Sequence, residues 1–224
     1  MSIDPASSLA ELVLERPAHA HVLERLGLDY CCGGRRSLAE ACRERGLDPA
    51  TVAVFLEHEA EPVAVESTDW LNAPLAELCA HIVEEHHGRL RWDLPRRSEL
   101  AERAVAVHGD QLPALHELRA EFEQLRAELE AHIAEEEREL FPLLAAGGSL
   151  DQTQLEQLLQ EHDTAGLPLR RLRELGGGYA TEGALCNTHR GLLQGLHGLE
   201  LDLHQHVHEE NNILFPRALA AAEA

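Results

Sequence analysis

Apolar residues recur at alternating steps of four and three over two long stretches of this chain. In one, Leu118, Phe122, Leu125, Leu129, His132 and Glu136 follow that rhythm; in the other, Leu192, Leu196, Leu199, Leu203, His206 and Glu210 do. Such alternation keeps one helix face turned to a partner, so each stretch predicts a helix lining a bundle core. The two stretches are also copies. His-x-x-x-Glu-x-x-x-Leu-Phe-Pro runs from His132 through Glu136, Leu140, Phe141 and Pro142, and again from His206 through Glu210, Leu214, Phe215 and Pro216, 74 residues on. Matched offsets at five positions point to duplicated architecture.

Turn and cap signals set the remaining elements. From Asp69 onward four longer helices are expected: Pro74 to Leu94 (ended by Pro95), Pro113 to Leu144, Leu150-Asp151 to Leu175, and Glu182 to Ala222. Short connections make an antiparallel four-helix bundle the economical fold. Residues 1–60 read as a smaller unit of short helices. Ser8 starts one that Pro17 closes; Ala18 to Leu26 stops at Gly27; Ser37 to Glu40 fits a capping box; and Asp48-Pro49 opens the last. Glu61 to Thr68 is the expected linker (61–68), leaving 69–224 for the bundle. The fold class is all-α.

On a helix, residues four apart stand one above the other, so His132 with Glu136, and His206 with Glu210, each present an imidazole beside a carboxylate. All four fall on core stripes, where an unpartnered charge is costly. The other two helices each carry a matching histidine. His162 lies on the row Leu155, Leu158, His162, Ala165, Leu169, Leu172. In the His86-His87 doublet one residue is expected to point inward. The row Cys79, Val83, His87, Leu90, Leu94 stays apolar, while the row through His86 reaches Arg89 and Asp93, so His87 is favoured. The candidate metal ligands are therefore His87, His132, Glu136, His162, His206 and Glu210. Six such groups exceed a four-ligand structural zinc. Divided over two ions they leave both glutamates free to bridge, and N/O ligation suits iron or manganese.

Composition narrows the partners. The formal net charge of −21 argues against nucleic acid or an anionic membrane. No secretory signal or membrane-length apolar run is visible, which leads to the expectation of a soluble cytoplasmic protein. Fifteen histidines mean that a lone one carries little weight, and His189 is the least secure of those left as structural. Five cysteines, an odd number, read as thiols rather than a disulfide framework. Cys31-Cys32, ahead of Gly33-Gly34 and a helix start with Arg35 and Arg36 nearby, sits where a thiolate is expected to be favoured. The bland alternative is a pair of small buried residues in a turn. Cys42, Cys79 and Cys186 read as structural.

Asp29-Tyr30-Cys31-Cys32-Gly33-Gly34, followed by a bundle with His132-x-x-x-Glu136, Glu161-His162-Asp163 and His206-x-x-x-Glu210-Asn211-Asn212, resembles the iron–sulfur cluster repair di-iron family. The resemblance runs from about Leu9 to Leu219. It implies a hemerythrin-like four-helix bundle behind a small helical domain, two iron ions bridged by carboxylates with an oxo bridge left open, and a redox or repair role for Cys31 and Cys32. By similarity the iron ligands fall on His87, His132, Glu136, His162, His206 and Glu210. The implied partners are iron–sulfur proteins damaged by nitrosative or oxidative stress, nitric oxide or dioxygen as small ligands, and an unidentified electron donor; a homodimer is conceivable. Iron donation and nitric oxide reduction are both open as mechanisms. The rival reading is a hemerythrin-type protein that binds or senses dioxygen or nitric oxide.

Overall fold

The structure, a computed structural model, describes residues 3–58 and 69–221. The expected linker at 61–68 and Ala222, the expected end of the fourth helix, lie outside them. Two compact units are formed, one from 1–73 with 204–217, the other from 74–203 with 218–224. Helices supply all regular structure among the described residues; one isolated bridge joins Ser8 and Ser37.

In the first unit, α1 (Leu9–Glu15), α2 (His19–Leu26), α3 (Leu38–Arg45) and α4 (Pro49–His58) surround a core of Leu9, Leu12, Leu23, Leu38 and Leu56. The caps explain the boundaries. Ser8 and Glu11 form a capping box on α1, as do Ser37 and Glu40 on α3. Gly27 and Gly46 end α2 and α3 at φ of 65° and 67°, a left-handed conformation that glycine adopts without a Cβ penalty. The two capped starts lie back to back: Leu9 N–H donates to Arg36 O at 3.0 Å and Leu38 N–H to Ser7 O at 2.9 Å. That pairing closes the loop from Tyr30 to Gly34 into a fixed turn.

In the second unit the apolar rows pack as expected. Leu90, Leu94, Ala101 and Ala104 come from α6 (Gly88–His108), and Leu115 through Ile133 from α7 (Ala114–Glu135). Leu169 and Leu172 come from α9 (Gln152–Leu175), and Leu192 through Leu203 from α10 (Asn187–Glu209), all in one core. Asp151 caps α9 with Gln154 in a capping box. Arg97 is buried in this core. It donates to Gly195 O at 2.7 Å and pairs with Asp93 at 2.8 Å, so its charge is compensated.

Two expectations on helix extent are corrected. Pro95 does not end the first long helix, which continues to His108. A mid-helix proline costs ~3 kcal/mol, against which the segment beyond it buries Ala101 and Ala104. In the preceding turn Arg96 stacks on Trp92 at 3.4 Å and donates to its carbonyl at 2.6 Å. The long helices are also not uniformly α. Wide π-helical turns occupy Ile82–His87, between α5 (Leu75–His81) and α6; Glu136–Leu140, between α7 and α8 (Phe141–Ala145); and Glu210–Leu214, between α10 and α11 (Phe215–Ala220). In each, a backbone bond spans five residues: Gly88 N–H to Val83 O, Phe141 N–H to Glu136 O, Phe215 N–H to Glu210 O. The prolines at 142 and 216 account for two of the three, because a proline ring crowds the carbonyl four residues back and a widened turn relieves it.

Candidate metal centre

Each wide turn falls on a candidate ligand. The first ends at His87 and the others begin at Glu136 and Glu210. An extra residue in a turn re-aims the side chains around it, and such turns gather at functional sites. Its effect on the doublet corrects the expectation that one histidine alone points inward. His86 and His87 are both buried, and Val83, one straight turn before His87, is not. Their surroundings differ. His86 Nδ1 lies 3.4 Å from Asp202, and its ring stands edge-on to His81. His87 Nε2 lies 3.5 Å from Glu136 Oε2, and its ring stacks on Phe141 with centroids 5.5 Å apart.

Glu136 is the hub of the second unit's cluster. Its Oε1 lies 3.2 Å from His132 Nε2, which in turn lies 3.2 Å from His162 Nε2. The ligand atoms of His132, Glu136 and His162 fall within 4.8 Å of one another. These spacings fit coordination. With ligand bonds of ~2.1 Å, neighbouring ligand atoms stand ~3.0 Å apart at an octahedral edge and ~3.4 Å at a tetrahedral one. The two imidazole Nε2 atoms face each other at 3.2 Å, and with the Glu136 carboxylate they form a donor set that could hold a cation. The cluster is closed on the His87 side, which is fully buried, while the His132 side chain is 22% exposed.

Glu137, which the sequence did not single out, is the other carboxylate at His87. Its Oε1 accepts from His87 Nδ1 at 2.8 Å, and Arg91 pairs with its other oxygen at 2.6 Å. Burial pushes this carboxyl up, but the hydrogen bonds from Arg91 and His87 outweigh it and hold the group below the ordinary glutamate range. A carboxylate on Nδ1 fixes the tautomer with the lone pair on Nε2, the atom turned to Glu136. A run of three glutamates reads as a solvated face, so no sequence signal marked this one.

The first unit carries the second His-Glu pair. His206 Nε2 and Glu210 Oε1 lie 3.1 Å apart, both buried. The same segment seals the cysteine turn. Asn212 Nδ2 donates to Cys31 O at 3.1 Å, and His208 Nδ1, donating, reaches Tyr30 O at 3.3 Å. Gly34 is needed here, since a Cβ would meet Tyr30 O and come within 3.0 Å of both Ala10 Cβ and Asn212 Oδ1. Gly34→Ala is expected to cost about 1–3 kcal/mol, read as a lower urea midpoint for the full chain.

The thiolate expected at this turn is corrected for Cys31. The hydrogen bond to Cys32, burial, and the charges of Cys32 and Asp29 push the Cys31 thiol well above its ordinary range. Arg36 gives no relief, since it pairs with Glu44 and donates to Gly33 O at 3.4 Å. Cys186, read as structural, has its thiol shifted in the opposite sense. It precedes α10, accepts from His189 N–H at 3.4 Å, and is half-exposed. That bond and one from the His108 side chain pull its thiol down to about 7. Cys186 is therefore expected to be the first thiol alkylated by iodoacetamide, at a rate that rises as pH passes up through about 7. Peptide mapping of the alkylated sites checks it, and Cys186→Ser should remove the fast phase.

A helical bundle core lined by imidazoles that share a carboxylate defines a cation-binding protein of hemerythrin type. Residues 79–218 match the family model of the hemerythrin HHE cation binding domain, which implies non-haem iron, and residues 5–60 match a domain of unknown function, DUF542. Three similar proteins are each named iron-sulfur cluster repair protein YtfE. Those of Pectobacterium carotovorum and Musicola paradisiaca are 36% identical to this chain and that of Escherichia coli is 35% identical, each alignment covering 95% of this chain and 96% of the relative. The chain belongs to this iron–sulfur cluster repair family. Among the described residues no helix is long and apolar enough to cross a membrane.

Proposed function

We propose that this chain repairs or protects iron–sulfur clusters in the cytoplasm, acting through two non-haem irons that His87, His132, Glu136, His162, His206 and Glu210 would hold. The observation that carries the reading is the set of ligand-edge distances around Glu136, to His132 at 3.2 Å and His87 at 3.5 Å. The family relationship and the repeated His-Glu pair support extending the set to His206 and Glu210.

When bound, iron in such an N/O site supplies redox and Lewis-acid chemistry toward small ligands. The chain's own residues set the conditions for it. Glu137 holds the His87 proton on Nδ1, so that Nε2 is left to the metal. Phe141 covers the His87 ring and excludes water from that flank. His132 keeps an edge toward solvent, through which a diatomic ligand can enter or iron can leave.

The test is repair itself. An iron–sulfur protein with a nitric-oxide-damaged cluster is mixed with the iron-loaded chain, with and without an electron donor. Return of cluster absorbance with iron-loaded wild type, and none with His132→Ala, supports the proposal. Reversible uptake of nitric oxide or dioxygen without any cluster recovery would overturn it in favour of a hemerythrin-type binding or sensing protein.

A further inference from the structure

Asp29, Cys31 and Cys32 converge at the turn between α2 and α3. Cys31 Sγ lies 3.3 Å from Asp29 Oδ1 and 3.9 Å from Cys32 Sγ, and the three ligand atoms fall within 4.8 Å of one another. The sulfurs are far beyond the ~2.05 Å of a disulfide. A tetrahedral cation bound to sulfur at ~2.3 Å and oxygen at ~2.1 Å sets its thiolates ~3.8 Å apart and a thiolate from a carboxylate oxygen ~3.6 Å apart. The two edges that meet at Cys31 Sγ, 3.3 and 3.9 Å, stand close to those values.

We propose that Asp29, Cys31 and Cys32 bind one thiophilic divalent cation, zinc-like in its preferences, through none of the bundle's His and Glu ligands. This does not rest on the di-iron reading. Three features of the turn support it. Asp29 Oδ1 accepts the N–H groups of Cys31 and Cys32 at 3.2 and 3.0 Å, which aligns the carboxylate with both thiols. Asn212 holds the Cys31 carbonyl, so the backbone bearing the sulfurs is braced from a second segment. Cys32 is half-exposed while Cys31 is buried, which leaves a fourth position on the solvent side for water or an incoming donor. Binding forms two metal–sulfur bonds and one metal–oxygen bond and releases the two thiol protons to solvent, with no change of oxidation state.

Cobalt(II) is the probe, added without oxygen to the reduced full-length chain. The bundle's candidate ligands are nitrogen and oxygen, so thiolate-to-cobalt charge-transfer absorption separates a cysteine site from the bundle, and every protein tested carries Cys186→Ser to remove the other reactive thiol. The proposal expects that absorption, with the intense visible bands of tetrahedral cobalt, in the chain carrying Cys186→Ser alone. It expects loss of the charge-transfer band in Cys31→Ser and Cys32→Ala, and at least about tenfold weaker binding in Asp29→Asn, whose amide oxygen can still accept the two backbone bonds. Circular dichroism verifies that the variants keep their helicity, and half-exposed Cys32 is the position where substitution disturbs packing least. No charge-transfer band in the chain carrying Cys186→Ser alone, a band that survives in both cysteine variants, or full affinity in Asp29→Asn would each overturn the three-ligand site.

Discussion

Glu136→Ala is expected to strip the bundle of most of its iron, with affinity falling by more than about 100-fold. Ligand-supporting residues alone typically contribute about 10–100-fold, and Glu136 is the group on which two histidines converge. His132 Nε2 and His87 Nε2 lie 3.2 and 3.5 Å from its two oxygens, so one truncation removes the shared partner of both. The wide turn that starts at Glu136 runs through backbone bonds and survives the change. The variant should therefore keep wild-type helicity while losing metal. Iron bound at equilibrium with a competing chelator, measured alongside far-ultraviolet circular dichroism, checks both halves of the expectation.

Glu137→Gln is expected to weaken iron binding by about 10–100-fold although this residue is proposed to touch no metal. Its carboxylate receives the His87 Nδ1 proton at 2.8 Å and is itself held by Arg91 at 2.6 Å. Glutamine keeps the shape and an acceptor oxygen but removes the charge, which lowers the basicity of the imidazole opposite. A positioning role of this kind shifts metal affinity and any iron absorption spectrum, whereas a merely structural role shifts the melting temperature alone. The same chelator competition, with the thermal midpoint recorded in parallel, separates the two.

The bundle was legible in the sequence because its core rows keep the four-three rhythm and its ends carry explicit caps. Ser8, Ser37 and Asp151 act where the capping signals fall. The line from Leu118 to Glu136 is helical with its apolar members buried, and His162 is buried on its own row. What escaped were features with no pattern of their own. A wide turn adds a residue to the period without any compositional mark, which is why both members of the His86-His87 doublet are buried where straight-helix geometry allows one. Pro95 carries a stop signal that core packing overrides. Glu137 looks like its solvated neighbours until the fold turns His87 toward it. Cys31 and Arg36 are close in sequence, but the guanidinium is spent on Glu44 and the Gly33 carbonyl, so proximity along the chain did not become a thiolate.

The most direct measurement is the metal content and absorption spectrum of protein purified without oxygen, for wild type and for His132→Ala combined with His206→Ala. About two irons per chain are expected, as in carboxylate-bridged helical bundles, with a near-ultraviolet oxo-bridge band after exposure to air, and loss of both in the double variant. A wild-type bundle holding one zinc, or taking up no iron even after anaerobic reconstitution, would contradict it.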